Sequence, residues 1–372
     1  MGKLKRLIIS CGGTGGHFFP GLSIARTFQE QGGEVLLLLS GVNSASQVQS
    51  AAACGIEAVA LPLMPSLTRN PFKFIAGSIS GCVQSWKVIK KFKPQAVLGM
   101  GSFSMVPVLS AALLHRVPIA LHDGNARIGR ANRWATLFAK VLGEGFPAVN
   151  ADKCRCRVVD IGMPVRPELL EKYSISRAEA LKMLNELFNC DLKEDLTTVL
   201  VFGGSQGAAV FNSTLPQAFL QCRERNFQVL HLCGKGKKEE AEKLYAQADF
   251  PVLLLESSDR MEYFLGAADA VFCRSGGSTL AELALFGKGA FLIPYPYASE
   301  GHQQDNAEYF ERNNAAVVIR NSEFTVEKAL ELLQSDICGD RKNLEERGNA
   351  AANLARPDAA IAMLKEISAI IR

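Results

Sequence analysis

Thr14, Gly15, Gly16 and His17 follow closely on an apolar run that stops at Cys11, within the stretch LIISCGGTGGHFFPGLSIA. Glycine permits backbone angles closed to other residues and lets a ligand approach the main chain. A helix beginning at such a turn offers free N–H groups and the positive end of its dipole to an anion. A second turn of the same kind, TVLVFGGSQGA, carries Ser205. A third, CRSGGSTLAE, carries Gly277, Ser278, Thr279, Leu280 and Ala281, with Glu282 one to two turns inside the helix it opens. A carboxylate there is placed to accept both hydroxyls of a ribose while the turn holds a phosphate. The amide-rich stretch HQQDNA follows, with Gln303, Gln304 and Asn306. Amides both donate and accept, which suits the hydroxyls of a sugar. Each feature alone has an ordinary reading: a tight turn, a solvated helix carboxylate, a polar helix start. Their combination in one half of the chain points to a ligand with phosphate, ribose and sugar.

The elements that must position these residues alternate between strand and helix. Strands are expected at 5–11, 34–39, 56–62, 95–99, 117–122 and 157–161, then at 197–203, 227–232, 251–255, 269–273, 289–293 and 315–319. This rhythm predicts an α/β fold with parallel sheets and right-handed crossovers. Two series, each opened by a glycine turn, predict two Rossmann-like domains joined near residue 165 and facing a central cleft that holds the ligands. A last helix over roughly 357–370 is expected to pack back on the first domain.

Composition narrows the alternatives. The chain has 372 residues, 48% hydrophobic and 21% charged, with ten cysteines and a net charge of +4. That length and balance suit two globular domains rather than disorder. No C-x-x-C pair occurs, so the cysteines read as reduced, mostly buried cytosolic thiols, and no ligand cluster has a metal-site spacing. The dinucleotide fingerprint fails, because counting from Gly13 puts Phe18 in the third glycine position and the second strand ends at Ser40 rather than a carboxylate. No G-x-x-x-x-G-K-[ST] loop is present. The apolar N-terminal run is too short for a signal peptide. Residues 96–114 carry no charge, but glycines, serines and Pro107 break them into strand, turn and helix rather than a membrane span.

The stretches GGTGGHFFPGLSIA, GGSQGA, CRSGGSTLAE and HQQDNA, in this order, resemble the MurG family of GT-B glycosyltransferases. The resemblance implies transfer of GlcNAc from UDP-GlcNAc to the carbon-4 hydroxyl of lipid I, giving lipid II with inversion and with no metal or cofactor. It implies that Thr14, Gly15, Gly16 and Ser205 contact the nucleotide-sugar and its phosphates, and that Glu282 binds ribose. Gln303, Gln304 and Asn306 would meet the GlcNAc side, and Gly277, Ser278, Thr279, Leu280 and Ala281 the nucleotide turn. Ser258 would face uracil, and Arg166 in GMPVR the leaving diphosphate. His17 is the first candidate base and Asp123 the second, with Asn125 among the acceptor contacts. The chain departs from the family pattern in two places: Met163 stands where Asn is usual, and HDGN stands where His-Glu-Gln-Asn is usual. These departures put the acceptor contacts in question. A different GT-B glycolipid transferase, a nucleotide-sugar epimerase and a non-catalytic nucleotide-sugar-binding subunit remain open alternatives.

On this reading residues 1–164 form an acceptor- and membrane-facing domain, 165–350 a UDP-GlcNAc domain, and 351–372 the returning helix. From Ala58 to His122 there is no acidic residue, while Arg69, Lys73, Lys87, Lys90, Lys91, Lys93 and Arg116 are basic. Leu67, Phe72 and Phe74, expected in a loop, join Ile75, Ile79 and Trp86 among these cations. The expectation is peripheral attachment to an anionic membrane at the cytoplasmic face through residues 64–93, with no nucleic-acid partner and other cell-wall synthesis proteins as candidate partners.

Overall fold

The computed structural model describes residues 4–62, 71–204, 207–339 and 341–371, the side chains of 71–76 excepted. The chain divides into two compact units, Met1–Arg166 with Arg356–Arg372, and Pro167–Ala355.

The first unit runs β1 (Arg6–Cys11), α1 (Gly15–Glu30), β2 (Glu34–Leu39), α2 (Ser44–Ala53), β3 (Glu57–Ala60), α3 (Pro71–Phe92), β4 (Ala96–Gly99), α4 (Val106–Leu114), β5 (Ile119–Asp123), α5 (Arg130–Ala135), β6 (Val141–Glu144) and β7 (Arg157–Asp160). Among the described residues its sheet has seven strands in the order β3-β2-β1-β4-β5-β6-β7, all pairings parallel. Central strands such as RLIISC and EVLLLL are almost continuously apolar because helices cover both faces. Ile9 pairs with Leu37 on one side and Leu98 on the other.

The second unit runs α6 (Pro167–Lys172), α7 (Arg177–Phe188), β8 (Thr197–Phe202), α8 (Ala209–Gln221), β9 (Phe227–Leu232), α9 (Lys238–Tyr245), β10 (Val252–Leu255), α10 (Met261–Ala267), β11 (Ala270–Cys273), α11 (Gly277–Leu285), β12 (Ala290–Leu292), α12 (His302–Arg312), β13 (Ala316–Val318), α13 (Val326–Leu332) and α14 (Lys342–Ala352). Its parallel sheet has the order β10-β9-β8-β11-β12-β13 among the described residues. A phenylalanine-rich core, including Phe211, Phe219, Phe227, Phe272 and Phe291, fills one face.

Two sequence expectations need correction. β6 is absent from the predicted strands, because four residues, VLGE, ending in glycine and glutamate carry little periodic signal. Phe72 and Phe74 lie on α3 rather than in a loop; Leu67 lies outside the described residues. The charge-free stretch 96–114 does resolve into β4, a short 3₁₀ turn and α4, and no described helix is long and apolar enough to cross a membrane.

The chain ends on α15 (Ala359–Ala369), which packs in the first unit's core through Ala360, Met363, Leu364 and Ile367 beside Phe18, Ile24 and Val141. Gly143 of β6 makes room for it: a Cβ there would lie 2.9 Å from Met363 Sδ and 2.7 Å from Ile161. Met363 is fully buried. Met363→Ala should therefore destabilise the first unit by about 2–5 kcal/mol. Both tryptophans, Trp86 and Trp134, belong to this unit. Urea unfolding followed by tryptophan fluorescence should show an earlier midpoint in the variant, and an unchanged midpoint would refute the packing role.

Candidate active site

In an open parallel sheet, ligands bind beyond the carboxyl ends of the strands, where the strand order reverses. In the first sheet the reversal lies between β1 and β4, and in the second between β8 and β11. The chain turns after these four strands carry most of the residues singled out by sequence.

After β1 the chain passes Gly12 and Gly13 and enters α1 at its N-cap, Thr14. Gly12 is required by packing rather than by a ligand: a Cβ there would lie 2.7 Å from the Ser40 carbonyl, in the turn after β2. Gly13 has φ +83° and open space around it, and Asn43 Nδ2 donates to its carbonyl at 2.9 Å. Thr14, Gly15 and Gly16 are exposed at the helix start. His17 Nδ1 lies 3.2 Å from Thr14 Oγ1. Its Nε2 sits over Gly101, in the turn after β4, where a Cβ would come within 3.1 Å. Gly101 also has φ +99°, so glycine is needed there twice over.

Beside this imidazole lies the end of β5. Asp123 is buried and saturated with donors. Its Oδ1 accepts from the Asn125 backbone N–H and Nδ2, and its Oδ2 from the Gly129 N–H at 2.8 Å and Asn132 Nδ2 at 2.9 Å. Asn132 also donates to the His122 carbonyl at 2.9 Å. Four donors hold the carboxylate in place, and two of them come from Asn125 itself, so Asp123 shapes the loop that carries Asn125. Burial pushes the neighbouring His122 down from the usual imidazole range, and His122 Nε2 lies 3.2 Å from the Gly162 carbonyl. Arg166 places its guanidinium over the Phe19 ring on the first turns of α1, 5.4 Å from the centroid. Sequence reasoning passes over Gly101 and Asn132, although the glycine-rich GMGS after an apolar strand is the same kind of signal as the turn after β1.

In the second unit, Ser205 and its neighbour Gln206 lie outside the described residues. Gly207, the next described residue, has φ +64° and would drive a Cβ to 2.0 Å from the Cys233 carbonyl. After β11, Ser275 and Gly276 lead into α11 at Gly277. This turn is braced from below: Ser275 Oγ donates to the Gln303 carbonyl at 2.7 Å, and Asn306 Nδ2 donates to the Ser275 carbonyl at 2.9 Å. Asn306 is fully buried, and its bond to Ser275 braces the turn. Gln303 accepts from the Tyr295 N–H at 2.9 Å, and Gln304 Nε2 donates to Glu308 at 3.0 Å. Thr279 is half-buried, while Leu280 and Ala281 are buried and reach the turn only through their backbone. The Ser278 hydroxyl is buried at the start of α11 with no hydrogen-bond partner among the described residues. Glu282 is 8% exposed on the same helix. Ser258, in the exposed turn after β10, accepts from the Arg260 N–H at 3.0 Å.

Comparison with known proteins settles the family. The glycosyltransferase family 28 N-terminal domain matches residues 7–142, and the family 28 C-terminal domain matches residues 198–362. The chain is 32% identical to a UDP-N-acetylglucosamine–N-acetylmuramyl-(pentapeptide) pyrophosphoryl-undecaprenol N-acetylglucosamine transferase of Desulforamulus reducens, over 98% of this chain and 99% of that one. It is 33% identical to the enzyme of the same name from Marinobacter nauticus, over 95% and 94%. The crystal structure of Acinetobacter baumannii MurG superposes with a TM-score of 0.77 at 26% identity, covering 98% of this chain and all of that one. The chain belongs to the MurG family of glycosyltransferases.

Its two departures from the MurG pattern meet in space. A Cβ at Gly124 would lie 2.4 Å from Met163 Sδ, and Met163 is buried. The thioether occupies the volume that a side chain at 124 would need, so the exchanges form a matched pair. Gly124→Ala alone should overpack this site by about 1–3 kcal/mol. Adding Met163→Ala should recover most of that loss, and a double-mutant cycle in urea should show coupling of at least about 0.5 kcal/mol. Additive effects would mean that the two positions are independent.

Proposed function

We propose that this chain transfers GlcNAc from UDP-GlcNAc to the carbon-4 hydroxyl of lipid I, forming lipid II with inversion. Its membership of the MurG family carries the reaction, and the position of His17 over Gly101 carries the mechanism. Displacing UDP builds positive charge at the anomeric carbon and negative charge on the leaving diphosphate. Within the second unit, the start of α11 supplies fixed positive field for that diphosphate. The unpartnered Ser278 hydroxyl is a further donor at the start of α11. Glu282 accepts from the ribose hydroxyls. Gln303, held through its Oε1 by the Tyr295 N–H, turns its Nε2 to the GlcNAc hydroxyls.

The attacking hydroxyl needs a proton acceptor. Thr14 Oγ1 lies within hydrogen-bond distance of His17 Nδ1; in the tautomer whose Nδ1–H donates to it, the Nε2 lone pair is the proton acceptor. Asp123 keeps the Asn125 loop in shape for the acceptor. His17→Ala should lower turnover by roughly 10²–10⁴-fold while changing UDP-GlcNAc affinity little. Glu282→Ala and Gln303→Ala should do the reverse, weakening the donor by about 1.5–3 kcal/mol, or roughly ten- to a hundredfold. The check is transfer of labelled GlcNAc to lipid I beside donor binding by calorimetry; a His17→Ala enzyme with full turnover would remove His17 as the base.

A lipid-linked acceptor also calls for a membrane-facing surface, and α3 is the proposed one. Ile79 is 60% and Val83 51% exposed, and Trp86 is partly exposed on the same face. The Lys90 ammonium stands 5.0 Å from the Trp86 ring, and Leu114 at the end of α4 is exposed. Exposed apolar side chains ringed by cations fit the interface of an anionic leaflet, where each basic residue contributes about 1 kcal/mol. The side chains of Phe72, Lys73, Phe74 and Ile75, and all of Arg69, lie outside the described residues. Co-sedimentation with vesicles should rise with anionic lipid content, fall with salt, and drop when Ile79 and Val83 are replaced by serine. Sedimentation indifferent to all three would rule this surface out.

A further inference from the structure

Cys222 ends α8, and Cys338 follows the π-helical turn Leu333–Ile337 after α13. The two sulfurs lie 3.8 Å apart although 116 residues separate them in sequence. Glu224 closes the group, its Oε2 accepting from the Cys222 thiol at 3.3 Å. One ligand atom from each of the three lies within 4.8 Å of the others.

The sulfur–sulfur spacing is that of a tetrahedral site. Zinc–sulfur bonds of about 2.3 Å at the tetrahedral angle place two sulfurs about 3.8 Å apart, and a zinc-bound carboxylate oxygen about 3.5–3.7 Å from each. The donor set has the right softness: two thiolates and one carboxylate suit a thiophilic d¹⁰ cation and poorly suit magnesium or calcium. Cys222 is buried, Cys338 half-buried and Glu224 exposed, so the group is closed on one side and open to solvent on the other. A divalent cation with these three ligands leaves one net negative charge. Arg225 and Arg341 lie close enough to offset it, since both favour the Cys338 thiolate.

We propose that Cys222, Cys338 and Glu224 form a structural binding site for a thiophilic divalent cation of the zinc class, with water as fourth ligand. Binding replaces two thiol protons and ties the end of α8 to the turn after α13. The site precedes Phe227, the first residue of β9, and so stands at the opposite end of the sheet from the glycine turns. It has no part in the transfer chemistry and does not rest on that reading.

The test uses the reduced full chain, titrated with Co²⁺ and then Zn²⁺. Wild type should take up one equivalent of Co²⁺ with sulfur-to-metal charge-transfer and tetrahedral visible bands that Zn²⁺ abolishes, and Zn²⁺ should raise its melting temperature. Cys338→Ser should lose the bands, and Cys190→Ser should keep them. Glu224→Gln, a change at an exposed side chain that leaves the fold intact, should weaken Co²⁺ at least about tenfold; it carries the test if Cys338→Ser does not fold. Reduced wild type without the bands, or bands of equal affinity in Glu224→Gln and Cys338→Ser, would overturn the proposal.

Discussion

The contact on which the rest depends is backbone against backbone at the carboxyl ends of the strands. Gly12 lies against the Ser40 carbonyl, and Gly207 against the Cys233 carbonyl. In each unit this lets the turn after the first central strand nest against the turn after its neighbour, so that a buried parallel strand runs straight into a helix. A side chain at either position would push the turns apart and move the helix start with them. The first N–H groups of α1 and α8 are therefore aimed by a contact that involves no ligand. Helix starts with N–H groups free of the sheet are a consequence of how the sheet closes at its switch point, and such starts suit an anion.

The polar residues around the turns divide between touching and holding. Asp123, Asn132, Ser275 and Asn306 are buried, and their hydrogen bonds include ones to one another, to backbone and, for Asp123, to the Asn125 amide. Such networks hold one geometry, here with Asn132 Oδ1 left without a partner among the described residues. His17, Glu282 and Gln303 stand on what these residues hold. Local rigidity of this kind within each unit suits a reaction whose catalysis depends on placing a sugar, a hydroxyl and a diphosphate rather than on an unusual functional group.

The sheets, their parallel sense and the glycine turns were legible in the sequence because long apolar runs and glycine spacing are local signals. β6 was not, because its pairing with β5 and β7, rather than its own four residues, makes it a strand. The hydrogen-bond partners of Asp123 and Asn306 were not legible either. A carboxylate or amide reads the same in sequence whether it faces a ligand or a neighbouring carbonyl, and only burial separates the two. The same limit hid the Cys222–Cys338 pair, since no spacing rule reaches across 116 residues. Sequence also assigned every glycine of the first turn to the ligand, whereas Gly12 answers to Ser40 and Gly13 to its own φ.

Gly124 and Met163 show how such a site can change without losing its frame. Read one at a time, each exchange removes a polar group from the acceptor side and suggests a weakened enzyme. Together they conserve volume: the thioether fills the space over a bare Cα, and Gly145 lies on the same spot, where a Cβ would come within 3.0 Å of the Gly124 Cα. Tight packing makes single changes here expensive and paired changes tolerable. The hydrogen bonds that shape the loop are untouched, because Asp123 draws its donors from Asn125, Gly129 and Asn132. Position 124 can therefore vary in what it offers the acceptor while Asp123 continues to fix where Asn125 stands.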